Sequence, residues 1–278
     1  MKIKSLLNTT ALLGAAMLLL GGHSAKATLT YSAGDLFLGF RATDGQGANK
    51  DYLVNIGQAS LYAPGGGSFN LNTVGVTGLA ADLSANTLFG SEWNTLRSDD
   101  SVVTWAVFGT TYTGAGAFTS PVLFVTNQRD QSNISIQSTP WEQRSNGAQL
   151  TTVSKFQQVA GYYKDFGVAT VNDARGTLQD ATNASSYGKF TSTGLDFAVW
   201  ATIQGDFSNG TSNSVLDLYR IDPGSSDSVY QGSFRINDSG IVTYTAAVPE
   251  PSSVALVGVV ASLVAIIAYR RRKAAAKS

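Results

Sequence analysis

The chain is 278 residues long and contains no cysteine and a single histidine, His23; beyond residue 27 it therefore lacks the side chains for Ser-His-Asp or Cys-His nucleophilic catalysis, Cys/His zinc sites, haem ligation and thiol redox chemistry. Its 19 basic and 19 acidic residues balance formally, but eight of the bases lie in the two termini, as does Glu250, so residues 28–248 hold 11 basic and 18 acidic groups, a net of −7. That surface has no basic excess with which to displace counterions, which excludes nucleic acid as a partner.

In chain order, Lys2 and Lys4 precede an apolar stretch from Ala11 to Leu20, and Ala25-Lys26-Ala27 has the small-x-small form of a signal peptidase site. Residues 1–27 are expected to be a signal peptide cut after Ala27, with Ala25 and Ala27 as the recognised small residues and Thr28 as the new N-terminus. Ten core apolar residues are too few to span a bilayer comfortably. Without a cysteine at the cut, lipid attachment is excluded, and without disulfides the exported part is held by core burial alone, for which its length suffices.

Residues 28–247 have the texture of a β domain, with β-branched and aromatic runs between Gly, Asn, Ser and Thr clusters. The predicted strands are Leu36 to Phe40, Tyr52 to Ile56, Val102 to Phe108, Val122 to Val125, Phe197 to Ile203, Val215 to Ile221, Phe234 to Ile236 and Ile241 to Thr245. Tyr52, Val54 and Ile56 share one face, as do Val103, Trp105 and Val107. Asn237-Asp238-Ser239-Gly240 joins the last two runs as a hairpin turn whose glycine can take positive φ. Pro64-Gly65-Gly66-Gly67-Ser68 reads as a flexible loop, Leu79 to Leu83 as a short helical turn, and the spacing of Leu150, Val153, Phe156, Val159 and Tyr163 as an amphipathic helix over 148–164 weakened near its end by Gly161. The expected class is mainly β: a β-sandwich, or a jelly-roll variant, with one packed helix, followed by a single C-terminal transmembrane helix.

Several motif matches carry little chemistry. Ser186-Tyr187-Gly188-Lys189 fits Ser-x-x-Lys without its companion motifs. Asp238-Ser239-Gly240 fits half of an aspartic-protease dyad and is explained by the hairpin turn. Glu92 beside Trp93 and Glu142 beside Trp141 are the one carboxylate pair that could serve a glycosidase, with core tryptophans and solvated glutamates as the plainer explanation. Asp44 to Asp51 and Asp222 to Asp227 place acids in polar loops without the spacing of a calcium loop. No catalytic residue, metal site or cofactor is therefore assigned.

The C-terminus has three elements in order. Val248-Pro249-Glu250-Pro251 fixes an extended backbone, Val254 to Tyr269 is an uncharged sixteen-residue run, and Arg270-Arg271-Arg272-Lys273 closes it, with residues 274–278 as a short tail. As a helix the run spans roughly 24 Å, short for a hydrocarbon core of about 30 Å unless its flanks extend it. The basic cluster would stay cytoplasmic and leave residues 28–247 outside. The tail resembles that of PEP-CTERM proteins of Gram-negative, exopolysaccharide-forming bacteria. That resemblance implies residues 248–273 as a sorting signal with Pro249, Glu250 and Pro251 as its motif, export through signal peptidase and an exosortase, and a destination at the cell surface or in the matrix, with exopolysaccharide as a possible partner. The stretch from Gly34 to Arg41 through Asp51 to Gly57 is similar to the start of many PEP-CTERM ectodomains, implying a shared β fold and no particular activity. In such a host the sequons at Asn133, Asn183 and Asn209 are incidental.

Three functions remain: a structural or matrix protein, a carbohydrate-binding module or adhesin with Trp or Tyr stacking platforms, and a carboxylate-based hydrolase. The placement of Trp93, Trp105, Trp141 and Trp200 distinguishes them.

Overall fold

The computed structural model describes residues 27–42, 47–84, 88, 103–111, 122–142, 145–192, 203–206, 214–223, 228–237 and 239–248. These form one antiparallel sheet with few helices. In chain order the strands are β1 (Asp35–Ala42), β2 (Lys50–Gln58), β3 (Ser68–Asn70), β4 (Val103–Thr110), β5 (Leu123–Gln128), β6 (Gly176–Asp180), β7 (Gly205–Asp206), β8 (Val215–Ile221), β9 (Val229–Ile236) and β10 (Val242–Ala246). The helices are α1 (Leu79–Ser84), α2 (Asn146–Asp165) and α3 (Tyr187–Ser192). The spatial order is β3-β10-β9-β8-β5-β4-β1-β2-β6, with β7 also paired to β4.

The expected sandwich is replaced by a single sheet that curls into a half-barrel. Chain length compels the curl. Seven strand spacings of about 4.8 Å would separate β2 from β3 by roughly 34 Å in a flat sheet. The connection between Gln58 and Ser68 contains a four-residue 3-10 turn, Ala59–Tyr62, and reaches less than about 30 Å. The sheet therefore bends until Tyr62 lies 5.3 Å from the Phe234 ring and 5.0 Å from that of Tyr244. Tyr244 Oη donates to the Tyr62 carbonyl at 2.6 Å and locks the closure.

Alternation then fills both faces. Leu36, Leu38 and Phe40, Tyr52, Val54 and Ile56, Val103, Trp105 and Val107, with Leu216, Leu218, Phe234 and Tyr244, form the concave core. The opposite face of the same strands, including Phe37, Leu53, Phe108, Leu123 and Val125, receives Val153, Phe156, Val159 and Tyr163 of α2. The Phe108 and Phe156 rings meet at 5.0 Å. The predicted helix thus packs as expected, capped by Ser145, whose Oγ accepts from the Ala148 N–H at 3.3 Å, and it runs past Gly161 to Asp165.

Most predicted strands are present. Val102 and residues 197–202 of the expected strand ending at Ile203 lie outside the described residues. β3, β6 and β7 are short, and Gly232 interrupts the pattern of β9. The hairpin between β9 and β10 is as expected: Asn237 Oδ1 accepts from the Ser239 and Ile241 N–H groups at 3.0 and 2.9 Å, and Gly240 has φ of 75°.

Three buried carboxylates tie loops to this frame. Asp82 of α1 accepts from Tyr52 Oη at 2.7 Å and from the N–H groups of Asn172 and Asp173 at 2.8 and 2.9 Å. Asp173 in turn accepts from the N–H groups of Gly78 and Arg175 at 2.7 and 2.9 Å. Asp217 of β8 is fully buried, pairs with Arg129 at 2.8 Å and accepts from the Ser138 N–H at 2.7 Å.

Candidate functional site

A β-bulge builds a cleft beside β1 and β2. Leu36 pairs with Gly57 and Phe37 with Asn55, so Ile56 is an extra residue in β2. Residues three apart on a regular strand face opposite ways, and the extra residue brings Asn55 and Gln58 to the same side as Asp35. Asn55 Nδ2 donates to Asp35 Oδ2 at 2.9 Å, the Ser32 N–H donates to the same oxygen at 2.8 Å, and Gln58 Nε2 donates to Asp35 Oδ1. Asn55 Nδ2 also reaches the Thr30 carbonyl at 2.9 Å, while its Oδ1 accepts from the Gly57 N–H. The network holds the segment from Thr28 to Ser32 along one wall. Tyr31 stacks on Phe37 with centroids 5.4 Å apart, and burial together with the nearby Asp35 charge pushes its hydroxyl up to about 12.

The opposite wall comes from the bend before β6. The Arg175 carbonyl accepts from Tyr163 Oη at 2.7 Å and from the Asn55 N–H at 3.1 Å, which fixes the residue at the cleft. Its guanidinium lies across two glycines of positive φ. A Cβ on Gly75 would stand 3.0 Å from Nη2, and one on Gly57 3.7 Å from Nη1. Ser60 and Leu61 form the rim, and the cavity measures about 530 Å³, within the range of small-molecule sites.

The residues singled out from the sequence lie elsewhere. Trp105 is fully buried, stacked on Phe40 at 6.2 Å, with Nε1 donating to Ser214 Oγ at 2.6 Å. Trp141 is half-buried against the α2-side core, so neither offers a flat exposed platform; Trp93 and Trp200 lie outside the described residues. Glu142 is exposed and away from the cleft, and Glu92 lies outside the described residues. Ser186 is buried as a cap: its Oγ donates toward the carbonyls of Asn183 and Ala181 and accepts from the Lys189 N–H at 3.1 Å. Asp222 pairs with Arg220 at 2.8 Å; Asp44, Asp227, Asp238 and Asn209 are outside the described residues.

Asp51 is not a loop residue but part of β2, fully buried, and it accepts from the Gly188 N–H. Burial pushes its carboxyl up to about 7, against the opposing effects of that hydrogen bond and the Arg41 charge, with Asp180 adding to the rise. The folded state therefore binds a proton that the unfolded chain releases near its ordinary value of 3.8. The resulting stability is full below that value and is lost as pH rises through about 7, up to about 4 kcal/mol in all. Thermal melts should show a falling midpoint between pH 4 and pH 7, and Asp51→Asn should flatten that slope; an unchanged slope in the variant would place the titration elsewhere.

The chain leaves the fold abruptly. The Ala247 N–H donates to the Gln231 carbonyl at 2.8 Å and the Gly65 N–H to the Ala247 carbonyl at 2.8 Å, whereas Val248 is 87% exposed. The sequence profile of the PEP-CTERM protein-sorting motif matches residues 247–273, starting at that exit. The chain carries a PEP-CTERM sorting motif. The motif implies export, C-terminal membrane anchoring for processing, and an exosortase-sorted surface protein. Pro249, Glu250, Pro251, the apolar run from Val254 to Tyr269, Arg270, Arg271, Arg272 and Lys273 lie outside the described residues, as does Ala25; Ala27 is exposed. Among the described residues no helix is long and apolar enough to cross a membrane. No curated protein and no solved structure matches the chain.

The one sign of the cleft legible along the chain is Asn55, a polar residue within the apolar run from Tyr52 to Ile56.

Proposed function

We propose that this is an exported cell-surface or extracellular-matrix protein with a structural or interaction role and no catalysis, delivered through signal peptidase and an exosortase. The PEP-CTERM motif at residues 247–273 carries the reading, because it begins at Ala247, where the described fold makes its last backbone hydrogen bonds. The precursor spans the inner membrane once through Val254 to Tyr269, with Arg270 to Lys273 holding the C-terminus in the cytoplasm. Residues 28–247 then face outward, where a protein without cysteine needs no oxidative folding. The burial of Trp105 supports a scaffold over a sugar-binding face built on stacked tryptophans, and the absence of His and Cys beyond residue 27 supports a role without nucleophilic or transition-metal chemistry. Exopolysaccharide is the natural neighbour at such a surface.

Replacing Pro249, Glu250 and Pro251 together by alanine tests the delivery step. The three residues follow the anchored Ala247 and the exposed Val248 in the chain, so the melting temperature should not change. The precursor should accumulate in the inner membrane with its tail attached. Equal arrival of variant and wild type at the surface would reduce the segment to a spacer.

A further inference from the structure

Arg175 is the cation that lines the bulge cleft, and its donors are unspent. Among the described residues the side-chain ion pairs are Arg129 with Asp217 and Arg220 with Asp222, and the Arg175 guanidinium donates no hydrogen bond. It is nonetheless half-buried and seated over Gly57 and Gly75. A guanidinium presents five N–H groups in a planar fork that fits a carboxylate with two parallel hydrogen bonds. The carboxylate already present, Asp35, is held by Ser32, Asn55 and Gln58 instead.

The rest of the lining limits what the fork receives. Four hydroxyl-bearing residues, Thr28, Thr30, Ser32 and Ser60, line the cavity, and Leu61, 44% exposed, gives the rim an apolar surface. That combination suits a body with several hydroxyls and a C–H face. The fixed negative charge of Asp35 opposes a doubly charged anion such as phosphate, while its oxygens can accept from a ligand hydroxyl. The net charge of −7 over residues 28–248 disfavours a polyanion lying along the surface. We propose that the cleft binds one sugar-acid residue, a monosaccharide-sized hydroxylated carboxylate, with its carboxylate on Arg175 and its hydroxyls among Thr28, Thr30, Ser32, Ser60 and Asp35. The site accommodates a free sugar acid or the end of a chain, since the cavity is about 530 Å³ and open to solvent.

Calorimetric titration of the full-length chain in detergent micelles with glucuronate, a short oligoglucuronide, glucose and inorganic phosphate tests the assignment. Glucuronate should bind saturably at one site, with glucose and phosphate weaker by about tenfold or more, the scale of a lost charged hydrogen-bond pair. A higher affinity for the oligomer identifies a chain end as the source, and equal affinity per molecule identifies the free acid. Arg175→Gln should weaken glucuronate about tenfold with an unchanged melting temperature. Ser60→Trp, at the exposed rim, fills the mouth without entering the core and should remove binding too. Absence of glucuronate binding, glucose binding of equal strength, or full binding in both variants would overturn the proposal.

Discussion

Asp82→Ala is expected to lower the stability of the β domain by about 4 kcal/mol, because each of three donors it satisfies would lose a buried partner at about 1–3 kcal/mol. Those donors are Tyr52 Oη and the N–H groups of Asn172 and Asp173, and Asp82 itself is 1% exposed, so water does not replace the carboxylate. For a domain of this size the midpoint of thermal unfolding should fall by roughly 10 °C. Asp82→Asn keeps one acceptor oxygen and should lose about half as much. The damage should also reach the cleft, since Asp173 holds the Arg175 N–H and so sets where that residue enters it. Chemical denaturation of the three proteins measures the effect; a loss for alanine below about 1 kcal/mol would mean that the bend at 172–175 is held by other contacts.

Asp217→Ala should cost about 3–5 kcal/mol, the usual consequence of leaving a buried charge without its partner. Arg129 Nε donates to both Asp217 oxygens at 2.8 and 3.0 Å, and its side chain is 15% exposed. The same carboxylate receives the Ser138 N–H, so its removal strands a cation and an amide at once. Arg129 would retain the Ile134 carbonyl and Tyr230 Oη, neither of which carries a compensating charge at neutral pH. Replacing both partners, Arg129→Met with Asp217→Leu, removes the charge along with its partner and should recover much of the loss. Equal destabilisation in the single and double variants would show that the loop at 130–138 depends on the carboxylate alone.

Local pattern accounts for much of the fold. Tyr52, Val54 and Ile56, like Val103, Trp105 and Val107, do share the concave core, because period-two alternation fixes which side chains meet whatever the strands do at longer range. The helix and the last hairpin were legible for the same reason: apolar spacing in one and turn chemistry in the other are properties of neighbouring residues. Strands such as Gly176–Asp180 were not, since this one is polar and owes its place to pairing with β2. The single curled sheet could not be told from two facing sheets, because both bury alternate residues, and only the short reach from Gln58 to Ser68 decides between them.

The sorting motif was readable from sequence alone because its three parts are written in linear order: Pro249-Glu250-Pro251, an apolar run and a basic cluster are defined by neighbouring residues and need no tertiary partner to be recognised. The absence of cysteine, and of histidine beyond residue 23, was equally a property of the chain as written. The cleft was decided by tertiary structure. It depends on one extra residue at Ile56 that turns Asn55 and Gln58 to the same side, and on a buried carboxylate 90 residues before Asn172 that sets the bend carrying Arg175. Neither has a local signature, since a bulge is defined by the register of the partner strand and a buried carboxylate by donors that folding brings from far along the chain.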